Sequence, residues 1–179
     1  MKYFISLILS LFTGITYAAN TEVKPINNFE SGKYLGTWYE IARLPNSFEN
    51  SCFIPITANY SINPDDNTQI IVVNQCYTAN GNPNSAQGVA SYVDTPSLGK
   101  LKVTFLPKWL RFLPFGSGDY WILYTDYVNI SVVGSPNHKY LWILARSQEI
   151  TRNQLNQALK IAKDQGFDTH NLIFNYVGK

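Results

Sequence analysis

From Gly36 to Arg146 the chain is a succession of short apolar and β-branched runs cut by turn residues, with no helical pattern between them. Eight such runs can be marked, at 36–43, 54–62, 69–77, 85–93, 99–106, 118–125, 128–134 and 139–146. Asn63-Pro64-Asp65-Asp66-Asn67, Asn80-Gly81-Asn82-Pro83 and Gly134-Ser135-Pro136-Asn137 punctuate them with residues that tight turns favour. Short strands at regular spacing predict an all-β sandwich or barrel. One stretch reads as a helix, Thr151 to Gln165, opened by the capping box Thr151 and Gln154 and stopped at Gly166. Its Leu155, Ala158, Leu159 and Ala162 make one stripe, so it is expected to lie flat on the outer face of the sheet. A short run at 172–177 is expected to add an edge strand, and 23–33 reads as an irregular lead-in.

The run Lys100 to Phe105 alternates cleanly, which sets Leu101, Val103 and Phe105 inward. Ile70 to Val73 and Tyr140 to Leu144 are apolar on both faces, as expected of strands lying between an interior and a covering element. An even number of up-and-down strands returns the chain to its starting end. Trp38, in Gly36-Thr37-Trp38-Tyr39-Glu40, and Arg146, at the finish of the eighth run, would then meet where the sheet closes, guanidinium over indole.

A chain of 179 residues suits one domain, 19–179 once an export signal is set aside. That signal is read at 1–18: Lys2, the apolar run Tyr3 to Ile15, and Thr16-Tyr17-Ala18 before a cleavage point. The run is too short to cross a bilayer, and no Cys follows it to take a lipid anchor. A net charge of +2 without a basic run excludes nucleic acid as a partner. Cys52 and Cys76, the only cysteines, flank the hairpin around 63–67 and would lie nearly opposite each other, so a disulfide is expected, with two buried thiols as the alternative. His138 and His170 have no nucleophile motif near them, and neither metal-ligand spacing nor a phosphate loop occurs. No catalytic residue, metal or cofactor is therefore expected; an enzyme acting on lipids is the weaker alternative.

The order of runs, helix and motifs resembles the lipocalin family, in its bacterial and apolipoprotein D-like branch. The residues that carry this are Gly36-Thr37-Trp38-Tyr39-Glu40, Thr125-Asp126-Tyr127 and Arg146, and the likeness runs from Phe29 to the C-terminus. It implies an eight-stranded antiparallel up-and-down barrel with a closed base, an open mouth and one C-terminal helix outside. It further implies that Glu40, Ala42, Ala58, Tyr60, Val72, Asn74, Val103, Phe105, Tyr120, Ile122, Tyr124, Tyr140 and Trp142 face the cavity, with Tyr60, Asn74 and Trp142 ranked first as ligand contacts. Glu40 in such a place needs a partner, expected to be a Tyr or Arg146.

The expected partner is a small hydrophobic ligand, a fatty acid, lysophospholipid or similar lipid. Loops at one end would share the rim, and the fifth-to-sixth loop reads Leu106-Pro107-Lys108-Trp109-Leu110-Arg111-Phe112-Leu113-Pro114-Phe115. Aromatic and basic residues together suit a membrane surface, which makes peripheral membrane contact the first reading. Folding inward as a lid, anchoring a protein partner and packing against a second copy in a homodimer are the alternatives. Export leads to a periplasmic or outer-membrane-associated location, or else to secretion.

Overall fold

The computed structural model describes residues 21–111, 113 and 115–175. The signal read at 1–18, and Phe112 of the aromatic loop, lie outside the described residues. A four-residue turn of helix, α1 (Ser31–Tyr34), leads into β1 (Gly36–Arg43), β2 (Phe53–Ile62), β3 (Gln69–Tyr77) and β4 (Pro83–Tyr92). Then come β5 (Lys100–Thr104), β6 (Ser117–Thr125), β7 (Ile130–Gly134) and β8 (Leu141–Ala145), followed by α2 (Arg152–Asp164) and β9 (Ile173–Phe174). Consecutive strands pair antiparallel from β2 to β8, β8 pairs with β1, and β1 closes on β2 through Gly36↔Tyr60 to Tyr39↔Thr57. The result is a closed barrel. Where β2 ends its contact with β1, β9 takes over the edge through Ala42↔Phe174 and Arg43↔Ile173.

Turn chemistry holds the hairpins in register. Asn63, Asp66 and Thr68 hydrogen-bond within the β2–β3 turn, and β2 then pairs with β3 from Ile62↔Ile70 to Thr57↔Gln75. At the far end of that hairpin Cys52 and Cys76 form a disulfide, with a Cα–Cα distance of 5.3 Å. Asp126 arrests the β6–β7 turn by accepting from the backbone N–H groups of Val128, Asn129 and Ile130.

The barrel has an apolar cluster on each side of its wall. Inside, at the base, Trp38, Tyr60, Ile70, Val72, Leu101, Ile122, Val133 and Leu144 pack with Phe29 and Tyr34. Outside, α2 lays the fully buried Ala158 and Ala162 over Ile41, Leu123, Val132, Leu141, Ile143 and Ala145. The capping box of α2 is present, with Thr151 accepting from Gln154 N–H and its own N–H donating to Gln154 Oε1. Gly134 leaves room for Phe167, just past α2, since a Cβ there would meet its ring at 2.5 Å.

Two expectations change. The lead-in at 23–33 is not wholly irregular, because α1 turns Tyr34 onto Trp38 with ring centroids 4.9 Å apart. Cover by the helix explains the two-faced apolar pattern of β8 but not that of β3, whose Ile71 and Val73 lie half-buried outside the α2 cluster.

Candidate functional site

The base of the barrel is sealed by a cation. The Arg146 guanidinium lies 3.8 Å from the centre of the Trp38 ring. Its Nε donates to Tyr127 O at 3.0 Å, Nη1 to Thr37 O at 3.0 Å and Nη2 to Lys33 O at 2.9 Å. One side chain thus ties together α1, β1 and the β6–β7 turn. Gly36, at φ 93°, gives the chain the left-handed bend it needs beside that guanidinium.

Above this floor opens a cavity of about 620 Å³. Such a volume suits a small-molecule site, for which about 300–1,000 Å³ is usual. Glu40, Ala58, Tyr60, Val72, Asn74, Val103, Phe105, Tyr120, Tyr140 and Trp142 line it, as the inward parity implied. Ala42, Ile122 and Tyr124 do not.

The physical reason is a bulge in each of two strands. β1 pairs Glu40 with Leu144 but Ala42 with Ile143, so Ile41 is the extra residue and the faces exchange beyond it. Ala42 is therefore buried under α2. β6 pairs Ile122 with Val133 but Tyr124 with Val132, so Leu123 is extra. Tyr124 turns outward and its hydroxyl takes a hydrogen bond from Gln157 Nε2 of α2 at 2.8 Å. Ile122 does point inward, but it is wholly buried in the base cluster beneath the open space.

The bulge in β1 also decides the partner of Glu40. Residues three apart in a regular strand face opposite ways, whereas the extra Ile41 brings Arg43 to the side of Glu40. Arg43 Nη1 donates to Glu40 Oε1 at 2.6 Å, and Asn175 Nδ2 donates to the same oxygen at 2.6 Å. The expected partners, a Tyr or Arg146, are not used. Glu49 joins the cluster from the β1–β2 loop, its Oε2 accepting from Asn46 Nδ2 and from Trp142 Nε1 at 3.3 Å and lying 3.4 Å from Arg43 Nε. Burial, with the charge of Glu49 added, pushes the Glu40 carboxyl up to about 8 against the pull of Arg43. The two carboxyl groups share one guanidinium, and burial favours the protonated form of Glu40.

Phe48, from the same loop, packs its ring 5.6 Å from Tyr140 and 6.3 Å from Trp142. Both Phe48 and Glu49 line the cavity, and neither was found by pattern. A loop has no periodicity, and the one available signal was a pair of charges, Glu40 and Arg43, in an otherwise apolar run. Among the described lining residues the acidic ones are Glu40, Glu49 and Asp119, with no Lys or Arg. Nor does any group of three His, Cys, Asp or Glu stand ready for a metal ion among the described residues.

The rim is aromatic. Phe48, Phe53, Tyr77, Phe105, Trp109 and Phe115 are all exposed, Trp109 at 72% and Phe115 at 65% of their surface. Lys108 to Leu110 form a single 3-10 turn, and Arg111 Nε returns to Leu106 O at 3.0 Å, so Lys108 and Trp109 face solvent while Leu110, Arg111 and Leu113 are half-buried.

Comparison with known proteins agrees with this architecture. Residues 29–176 match the family model described as a lipocalin-like domain. The chain is 39% identical to the outer membrane lipoprotein Blc of Vibrio cholerae over 85% of each chain. It is 34% identical to apolipoprotein D of Macaca fascicularis, over 90% of this chain and 89% of that one. Among solved structures, insecticyanin from the tobacco hornworm Manduca sexta superposes with a TM-score of 0.67 at 25% identity, over 88% of this chain and 89% of that one. A barrel plugged by Trp38 and Arg146, an outer helix α2 and identities of this size over most of the chain lead to one assignment: the chain belongs to the lipocalin family.

Proposed function

We propose that the protein binds a small hydrophobic ligand, a single-chain lipid such as a fatty acid or lysophospholipid, in its barrel and carries or stores it at a membrane surface of the cell envelope. The observation that supports this most is the cavity of about 620 Å³, closed at the Arg146 end and lined chiefly by apolar and aromatic side chains. About a dozen methylenes buried there are worth roughly 10 kcal/mol gross at about 0.8 kcal/mol each. Association costs several kcal/mol, which leaves a micromolar-class binder with loose specificity. The exposed Trp109 and Phe115 favour a lipid surface over open solvent as the setting. A relative named as an outer membrane lipoprotein points to the envelope as well. Native mass spectrometry of protein purified from its own host should show an adduct that lipid extraction releases and identifies. A bare chain that also fails to take up added single-chain lipids overturns the reading.

A further inference from the structure

Four hydroxyls form one hydrogen-bonded chain from the lumen down to the closed base. Tyr60 Oη lies 2.7 Å from Tyr120 Oη, which lies 3.3 Å from Tyr34 Oη. Tyr34 Oη lies 3.1 Å from Ser131 Oγ, and Ser131 Oγ lies 3.0 Å from the carbonyl oxygen of Tyr124. These are four contacts for four hydrogens. A carbonyl cannot donate, so Ser131 donates to Tyr124 O and its hydrogen is spent. Tyr34 must then donate to Ser131, Tyr120 to Tyr34 and Tyr60 to Tyr120.

No other assignment fills every contact. A reversal at any link leaves two oxygens facing with no hydrogen between them, a loss that goes uncompensated at the buried Tyr34–Ser131 end. Burial also holds all three phenols protonated, Tyr34 pushed up to about 12 and Tyr60 and Tyr120 raised well above the ordinary tyrosine value, so each hydrogen is present to be placed.

The direction of the chain has a chemical result at its open end. Tyr60 and Tyr120 line the cavity, and the terminal Tyr60 oxygen has lone pairs to offer but no hydrogen left. The acidic lining residues are Glu40, Glu49 and Asp119, and among the described lining residues there is no Lys or Arg to meet an anionic head. We propose that the Tyr60 end of the cavity favours an apolar ligand whose polar group donates a hydrogen bond, a hydroxyl on a hydrocarbon chain held at the Tyr60 oxygen, over one ending in a carbonyl or carboxylate. This rests on the reading of the cavity as the lipid site and narrows it away from free fatty acids.

The test is isothermal titration of the mature protein with 1-decanol, 2-decanone and decanoate, three ligands of one chain length. 1-Decanol should bind about fivefold tighter than 2-decanone, the size of one net hydrogen bond, and decanoate weakest. Tyr34→Phe and Ser131→Ala alter no atom that lines the lumen, yet each removes the link that fixes the direction and frees a hydrogen toward the ligand. In both, 2-decanone should equal or overtake 1-decanol. Should one variant fail to fold, judged by near-ultraviolet circular dichroism, the other decides. Equal affinities in the parent protein, or an unchanged order in a folded variant, overturn this proposal alone. Failure of all three ligands to bind overturns the cavity reading with it.

Discussion

Glu40 shows how a single side chain can be read correctly for position and wrongly for company. Its inward direction followed from the family motif, but its partners depend on the bulge at Ile41, whose one trace in the sequence is the charge of Arg43, three residues after Glu40. The same holds for Ala42 and Tyr124, each placed one residue past an irregularity that period-two counting cannot detect. The pH response follows from the raised carboxyl. The folded chain holds a proton on Glu40 up to about 8, whereas the unfolded chain loses it near 4.5. Between those values the folded state binds more protons, so stability is fully present below the lower one and falls as pH rises through the window. Urea midpoints measured from pH 4.5 to 9 should decline across it, and Glu40→Gln, which keeps the hydrogen bond from Arg43 or Asn175, should flatten that decline. A profile that rises with pH in the parent protein contradicts the assignment.

Among the elements, strands and helix were legible where a face repeats. β1 and β3 occupy the expected spans, and α2 begins at its capping box, because alternation and i, i+4 stripes survive any tertiary context. α1 was not legible, since four residues carry no period and its purpose, to set Tyr34 over Trp38, is purely tertiary. The β2–β3 hairpin lies between these cases. Its turn residues placed the cysteines opposite each other, and the disulfide closes a sequence separation of 24. A loop of that length is worth about 3 kcal/mol in the chain-entropy account. Changing both cysteines to Ser should therefore lower the melting temperature by roughly 6–12 °C, read by circular dichroism. The effect should exceed that of reductant added to the double variant, which should be nil.

On the scale of the whole molecule, the rim decides how the barrel meets its surroundings. Trp109 and Phe115 stand exposed beside the lining residues Phe105 and Gly116, with Lys108 next to them. Burying two such rings in an interface yields about 3 kcal/mol or more, so Trp109→Ser with Phe115→Ser should cut binding to anionic vesicles about a hundredfold in flotation. Unchanged flotation of the double variant removes the membrane from the account. The wall itself is unequal around its circumference. Among the described residues, helix α2 and its cluster back β1, β6, β7 and β8, and no second layer covers the outer faces of β2 to β5. A close-packed double layer yields little to strain, so any change of girth demanded by ligands of different bulk should fall on the unbacked strands. The barrel is in effect a rigid trough with a pliant cover, and tolerance for ligands of varied shape should reside in the cover.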